Sequence, residues 1–284
     1  MSAPGGGVPR GRGPSAGIRL GLVLRTMGEQ STRETLLACA RAAEAEGIDE
    51  LWVVDHVAIP PDDSEGSGGR YLDPLTALGW LAGATERIGL GTAVLVVPYR
   101  AALPTAKAIA TLQELSGGRL ALGVGAGWME PEFRALGVDR TRRGRITDMT
   151  LAQWRAWFDD DLALSNGQPF LFRPRPPRPP IFVGGQPPHA LERAVRLGEG
   201  WMPMGSDPEK LRPHAERLQA LAREQGRAPL EIASLGGLPL DDPPRAREQL
   251  AALAEIGVTR VAHGGRYEDA VAFRRNAERL TGLR

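Results

Sequence analysis

This sequence predicts an α/β chain closed as one (β/α)8 TIM barrel, and three observations carry that expectation. Short apolar runs recur along the chain, helical patterns separate them, and the alternation repeats eight times without a break. The clearest run is Arg87-Ile88-Gly89-Leu90-Gly91-Thr92-Ala93-Val94-Leu95-Val96-Val97-Pro98-Tyr99-Arg100, continuously apolar from Ala93 to Val97. Rich in Val and bounded by glycines and a proline, it reads as a strand buried on both faces. Runs at 18–24, 51–54, 120–124 and 181–183 share that character. Strands alternating with helices build a parallel sheet, and eight unbroken units close more naturally than they spread into an open doubly wound sheet.

Taken in order, residues 1–17 form a Gly/Pro/Arg-rich tail without the apolar core of a signal peptide, expected to be disordered, and 18–284 form the barrel domain. After the first strand, Ser31 or Thr32 caps a helix with the stripe Leu36, Leu37, Ala40, Ala43 and Ile48, ended by Gly47. The second strand, 51–54, closes on Asp55-His56. The loop 58–71, with Pro60, Pro61 and Gly66-Ser67-Gly68-Gly69, is either a lid over the strand ends or a floppy insertion. Asp73-Pro74 opens the second helix with a cap followed by proline. A third helix runs from near Leu103-Pro104 to Gly117-Gly118.

The fourth strand, 119–124, leads into Gly125-Ala126-Gly127-Trp128, an excursion to Arg143, and a helix carrying Ile146, Met149, Leu151, Trp154 and Phe158. Arg173-Pro174-Arg175-Pro176-Pro177-Arg178-Pro179-Pro180 is a rigid extended connector by composition. It delivers the fifth strand, 181–183, to Gly184-Gly185-Gln186 and a helix that opens on Pro187-Pro188. Strands 200–204, 230–235 and 258–263 then alternate with helices 208–224, 245–256 and 267–280.

The chain of 284 residues is 42% hydrophobic and 24% charged, with a net charge of +1, so no general field exists to hold nucleic acid or an anionic membrane. A small-molecule partner follows by exclusion. No apolar run approaches the ~20 residues that span a bilayer. The single cysteine, Cys39, sits among apolar helical positions and reads as a small buried residue, consistent with a reducing cytoplasm.

The chain contains no P-loop, zinc-ligand spacing or Gly-x-Ser-x-Gly elbow, and its paired glycines do not make the dinucleotide fingerprint. Val183-Gly184-Gly185-Gln186 before a helix offers free amides and a positive dipole end to a phosphate; the competing reading is a tight turn. Asp55-His56, just past a buried strand, places a group that titrates near neutrality beside a carboxylate able to hold its tautomer. Active sites of α/β folds gather at such carboxyl ends.

Five ordered motifs then resemble the luciferase-like monooxygenase superfamily: Leu51-Trp52-Val53-Val54-Asp55-His56, Tyr71-Leu72-Asp73-Pro74, Ile88-Gly89-Leu90-Gly91-Thr92-Ala93-Val94, Leu122-Gly123-Val124-Gly125-Ala126-Gly127-Trp128 and Ile181-Phe182-Val183-Gly184-Gly185. Within it, Trp128-Met129-Glu130-Pro131-Glu132-Phe133-Arg134-Ala135-Leu136-Gly137-Val138 and Arg143-Gly144-Arg145 are similar to the branch that uses the deazaflavin coenzyme F420. The resemblance implies a ring lying across the carboxyl ends of the strands. A non-proline cis peptide at Ala93-Val94 would prop it, Gly125, Ala126 and Gly127 would lie near it, and Gly184, Gly185 and Gln186 would hold its phosphate. His56 would be the proton donor or acceptor with Asp55 orienting it, and Trp128 would meet substrate. Some F420-dependent relatives carry a catalytic Glu where this chain has Trp128, and Met149 replaces an acidic residue usual in the branch. The implied function is an F420-dependent oxidoreductase, usually a homodimer among relatives; the alternatives are an FMN-dependent monooxygenase and a flavin-binding protein without catalysis.

Overall fold

A computed structural model describes residues 17–284, so the expected tail lies, apart from Gly17, outside the described residues. The elements run β1 (Arg19–Val23), α1 (Arg33–Ala45), β2 (Glu50–Val53), α2 (Pro74–Ala84), β3 (Gly89–Val96), α3 (Ala102–Leu115), β4 (Leu120–Gly125), α4 (Glu130–Ala135) and α5 (Arg143–Asp159). They continue with β5 (Leu162–Ser165), β6 (Gln168–Leu171), β7 (Ile181–Gly184), α6 (His189–Leu197), β8 (Gly200–Met202), α7 (Pro208–Glu224), β9 (Glu231–Gly236), α8 (Pro243–Glu255), β10 (Val258–His263) and α9 (Ala270–Thr281). β1, β2, β3, β4, β7, β8, β9 and β10 close in that order into a barrel, each parallel to its neighbours, as the strand–helix alternation requires.

Local chemistry explains the borders. The Thr32 hydroxyl accepts from the Thr35 amide at the start of α1, and Gly47 takes the left-handed turn after its end, with φ +76°. Asp73 caps α2 through the Thr76 amide, with Pro74 at the first helical position, where no amide partner is needed. Inside the barrel, Trp52, Phe182 and Met202 pack with Ala93, Ala121, Ala233 and Ala262. Gly91 makes room for them: a Cβ there would lie 2.4 Å from the Trp52 ring. The helices cover the outer strand faces with a larger apolar cluster that includes Cys39, which is buried as expected.

Two features depart from the expected alternation. β5 and β6 form an antiparallel hairpin ahead of the proline-rich connector, turned by Asn166 and Gly167 at φ 49° and 77°. The excursion after β4 contains the short helix α4, anchored by the fully buried Phe133 against Val96 and Tyr99. Among the described residues, no helix is long and apolar enough to cross a membrane.

Candidate active site

The residues singled out in the sequence converge. His56, Gly125 to Trp128 and Gly184 to Gln186 lie at or just past the carboxyl ends of β2, β4 and β7, and Ala93-Val94 lies in the carboxyl half of β3, on four consecutive barrel strands. The Ala93–Val94 peptide bond is cis. Val94 is half-buried, and two glycines close around it: a Cβ at Gly125 or Gly184 would fall 2.7 or 2.9 Å from its methyl groups. Gly127, at φ +78°, is required both by its backbone and by Phe133, whose ring would meet a Cβ at 2.9 Å. Val94 and the half-buried Ala126 therefore form a low apolar ledge with little side chain above the backbone.

Beyond β7, Gly185 at φ +118° and Gln186 are exposed, and the Gly185 carbonyl accepts from the Trp201 indole at 3.2 Å. The expected anion cradle is narrower than a full helix start, because Pro187 and Pro188 contribute no N–H. Its backbone donors reduce to the amides of Gly185, Gln186 and His189. An apolar ledge at the ends of β3 and β4, with exposed amides past the neighbouring β7, nevertheless fits a cofactor that joins a planar ring to a phosphate.

His56 leaves β2 with its ring about one-fifth exposed, edge-on to Tyr71 at 4.9 Å and to Trp128 at 6.3 Å. Trp128, expected at the substrate, is itself exposed beside this histidine. The expectation that Asp55 orients His56 is corrected. The Asp55 carboxylate instead accepts from the Val96 amide at 2.8 Å and from both terminal guanidinium nitrogens of Arg100 at 2.7 and 2.9 Å. Arg100 also reaches Asp73 at 2.8 Å, so the Asp55 carboxylate ties β2 to the end of β3 and the start of α2. The reason lies in its partners: the Val96 amide and the Arg100 guanidinium occupy both Asp55 oxygens, on the β3 side of the chain.

Glu132 holds the imidazole instead, and sequence reasoning missed it. It enters from α4 with its side chain fully buried, and Oε2 lies 2.8 Å from His56 Nδ1. The Tyr99 hydroxyl donates to the same oxygen at 2.8 Å, while Oε1 accepts from the Val57 and Ala58 amides at 2.6 and 3.0 Å. Burial alone would push this carboxyl up; the Ala58 and Val57 amides, then His56 and Tyr99, outweigh it and hold it below the usual carboxylate range. Burial and the Glu132 charge push the Tyr99 phenol up, so it stays a donor.

The loop 58–71 is tied to the barrel at both of its ends. Glu132 fixes its first residue, Arg70 donates to Ser31 Oγ at 2.9 Å, and the Arg70 carbonyl accepts from the Gly28 amide at 3.0 Å. A separate opening of about 720 Å³ lies on the same barrel end across β1 and β10, bordered by Arg25, Glu29, Arg266 and Glu268.

A parallel barrel with an imidazole–carboxylate pair beside a bare ledge defines the class: a (β/α)8 enzyme scaffold suited to a ring-bearing cofactor. The model of the luciferase-like monooxygenase family matches residues 18–283, and the chain belongs to that family. An uncharacterized protein of Mycobacterium tuberculosis is 33% identical over 271 residues, covering 87% of this chain and 92% of the relative. Two solved structures share the fold. One is an F420-dependent secondary alcohol dehydrogenase in complex with an F420–acetone adduct, with a TM-score of 0.76, 16% identity, and 94% and 98% of the two chains covered. The other is the oxygenating constituent of 3,6-diketocamphane monooxygenase of Pseudomonas putida in complex with FMN, with a TM-score of 0.72, 15% identity, and 94% and 97% covered.

Proposed function

We propose that this family member is an F420-dependent oxidoreductase that moves a hydride between coenzyme F420 and a small organic substrate, with His56 exchanging the accompanying proton. The observation that carries the reading is the His56–Glu132 pair: a partly exposed imidazole, fixed through Nδ1 by a buried carboxylate, beside an apolar ledge at the carboxyl end of the barrel. The similarity of 128–138 and 143–145 to the F420-using branch supports the deazaflavin over FMN.

Bound on the ledge, the coenzyme would supply the hydride-carrying carbon. The chain's own work is to support the ring with Val94 and Ala126, offer amides at Gly185 and Gln186 to its phosphate, and shield the reacting face with Trp128 and Tyr71. His56 handles the proton beside these aromatics. The reading includes a cytoplasmic enzyme acting as a homodimer, which sedimentation tests.

Titration of purified apoprotein with F420 and with FMN decides the cofactor. Saturable, tight binding of F420 alone is expected, and tight binding of FMN alone would replace the reading with a monooxygenase. Gly185→Asp should abolish cofactor binding while the fold survives, because it sets a negative charge against the phosphate amides. Gly185→Ala carries the same backbone strain at φ +118° without the charge and should lose less affinity; equal losses would show that the phosphate lies elsewhere.

A further inference from the structure

We infer that Glu132 is a positioning residue that fixes the tautomer of His56, placing the proton of the neutral imidazole on Nδ1 and leaving Nε2 as the atom that exchanges protons with substrate. The consequence for turnover rests on the proposed role of His56; the tautomer assignment does not.

The argument starts from what each partner can do. An ionised carboxylate only accepts hydrogen bonds, and Glu132 has four partners at 2.6–3.0 Å, two on each oxygen: the Val57 and Ala58 amides on Oε1, and the Tyr99 hydroxyl and His56 Nδ1 on Oε2. The Val57 and Ala58 amides can only donate, so Oε1 is an acceptor under all conditions. Oε2 has no proton to offer, so Nδ1 must bring its own. The held-down pKa of Glu132 is consistent with this arrangement. Nε2 then carries the free lone pair. With the coenzyme bound as hydride acceptor, Nε2 would take the proton of a substrate O–H or N–H as the adjacent C–H gives up its hydride, giving an imidazolium whose Nδ1–H still faces Glu132. The reverse direction returns that proton.

The same geometry makes Glu132→Gln an informative isostere. Its amide oxygen is claimed by the Val57 and Ala58 amides, which turns its NH2 toward His56 Nδ1 and the Tyr99 hydroxyl. A donor now faces Nδ1, so Nδ1 must accept, and the imidazole proton moves to Nε2. The tautomer inverts with little change in shape. His263 serves as a reference within the same molecule: its Nδ1 accepts from the Leu238 amide at 3.0 Å, which puts its own proton on Nε2.

The test is long-range proton–nitrogen correlation NMR on protein labelled with 15N-histidine, in alkaline buffer, with the His56 signals identified by their loss in His56→Ala. Wild type should show His56 protonated on Nδ1 and His263 on Nε2. Glu132→Gln should show both on Nε2, with the F420 dissociation constant unchanged within about twofold and kcat down by about 10²-fold, the size lost with a general acid or base. A wild-type His56 protonated on Nε2 overturns the inference without any variant, as does a His56 tautomer that Glu132→Gln leaves unchanged. An inverted tautomer with undiminished turnover upholds the role of Glu132 while removing His56 from proton transfer, so the two readings fail separately.

Discussion

Two histidines end strands at the same rim of the barrel, and their surroundings give them opposite properties. His263, the last residue of β10, is buried with the Leu238 N–H aimed at its Nδ1, and burial pushes its pKa down to about 4. His56, past the end of β2, meets a carboxylate at its Nδ1 and keeps part of its ring open to the site. Position in the barrel is shared; the partner differs. A backbone donor keeps one imidazole neutral and structural, whereas a carboxylate offers the other an acceptor at its fixed nitrogen. The comparison teaches that a histidine at a barrel rim is a candidate proton carrier only when its fixed nitrogen faces an acceptor.

The largest expected effect tests the His263 side of this contrast. Its folded pKa lies below the unfolded value of ~6.5, so the folded state binds fewer protons and stability rises with pH across that window. Lowering the pH from ~6.5 to about 4 should remove on the order of 3 kcal/mol, read as a falling urea midpoint. In His263→Asn the profile over that window should be flatter. Glu132 acts with the same sign at lower pH: its folded pKa is depressed, so its contribution is present above the unfolded carboxylate range and lost as pH falls through the folded value.

A smaller effect is expected of Tyr99→Phe, which deletes one donor to the buried carboxylate and should cost about 1.5–3 kcal/mol of unfolding free energy. It should leave the His56 tautomer alone, because the Nδ1–Glu132 bond remains. Smaller still, Arg100→Lys loses the two-pronged grip on Asp55 and should cost about 1 kcal/mol. A fall in kcat matching that of His56→Ala would show that Asp55 serves the imidazole after all.

Most of the barrel was legible because local signals agreed with the global fold. Buried strands read as apolar runs, and caps such as Thr32 and Asp73 marked helix starts where the structure places them. His56 and the glycines were legible for a related reason: strand ends are where chemistry collects, and a backbone that must approach a neighbour closely shows as missing Cβ atoms. Glu132 was not, because its contact with His56 spans 76 positions and no local pattern joins α4 to β2. Adjacency favoured Asp55 instead, but its carboxylate is claimed by Arg100, 45 positions away, which no local pattern signals either. The β5–β6 hairpin did carry a signal: Asn166-Gly167 between Leu162–Ser165 and Gln168–Leu171 is the preferred two-residue turn, masked by the proline-rich stretch that follows.

Single-turnover hydride transfer at saturating F420 and substrate, in wild type and His56→Ala, tests the central claim most directly. The rate should fall by about 10²-fold or more while the F420 dissociation constant barely moves. Equal rates would contradict the account, making His56 a packing residue and sending the proton through water or a group of the loop 58–71 or of the excursion after β4.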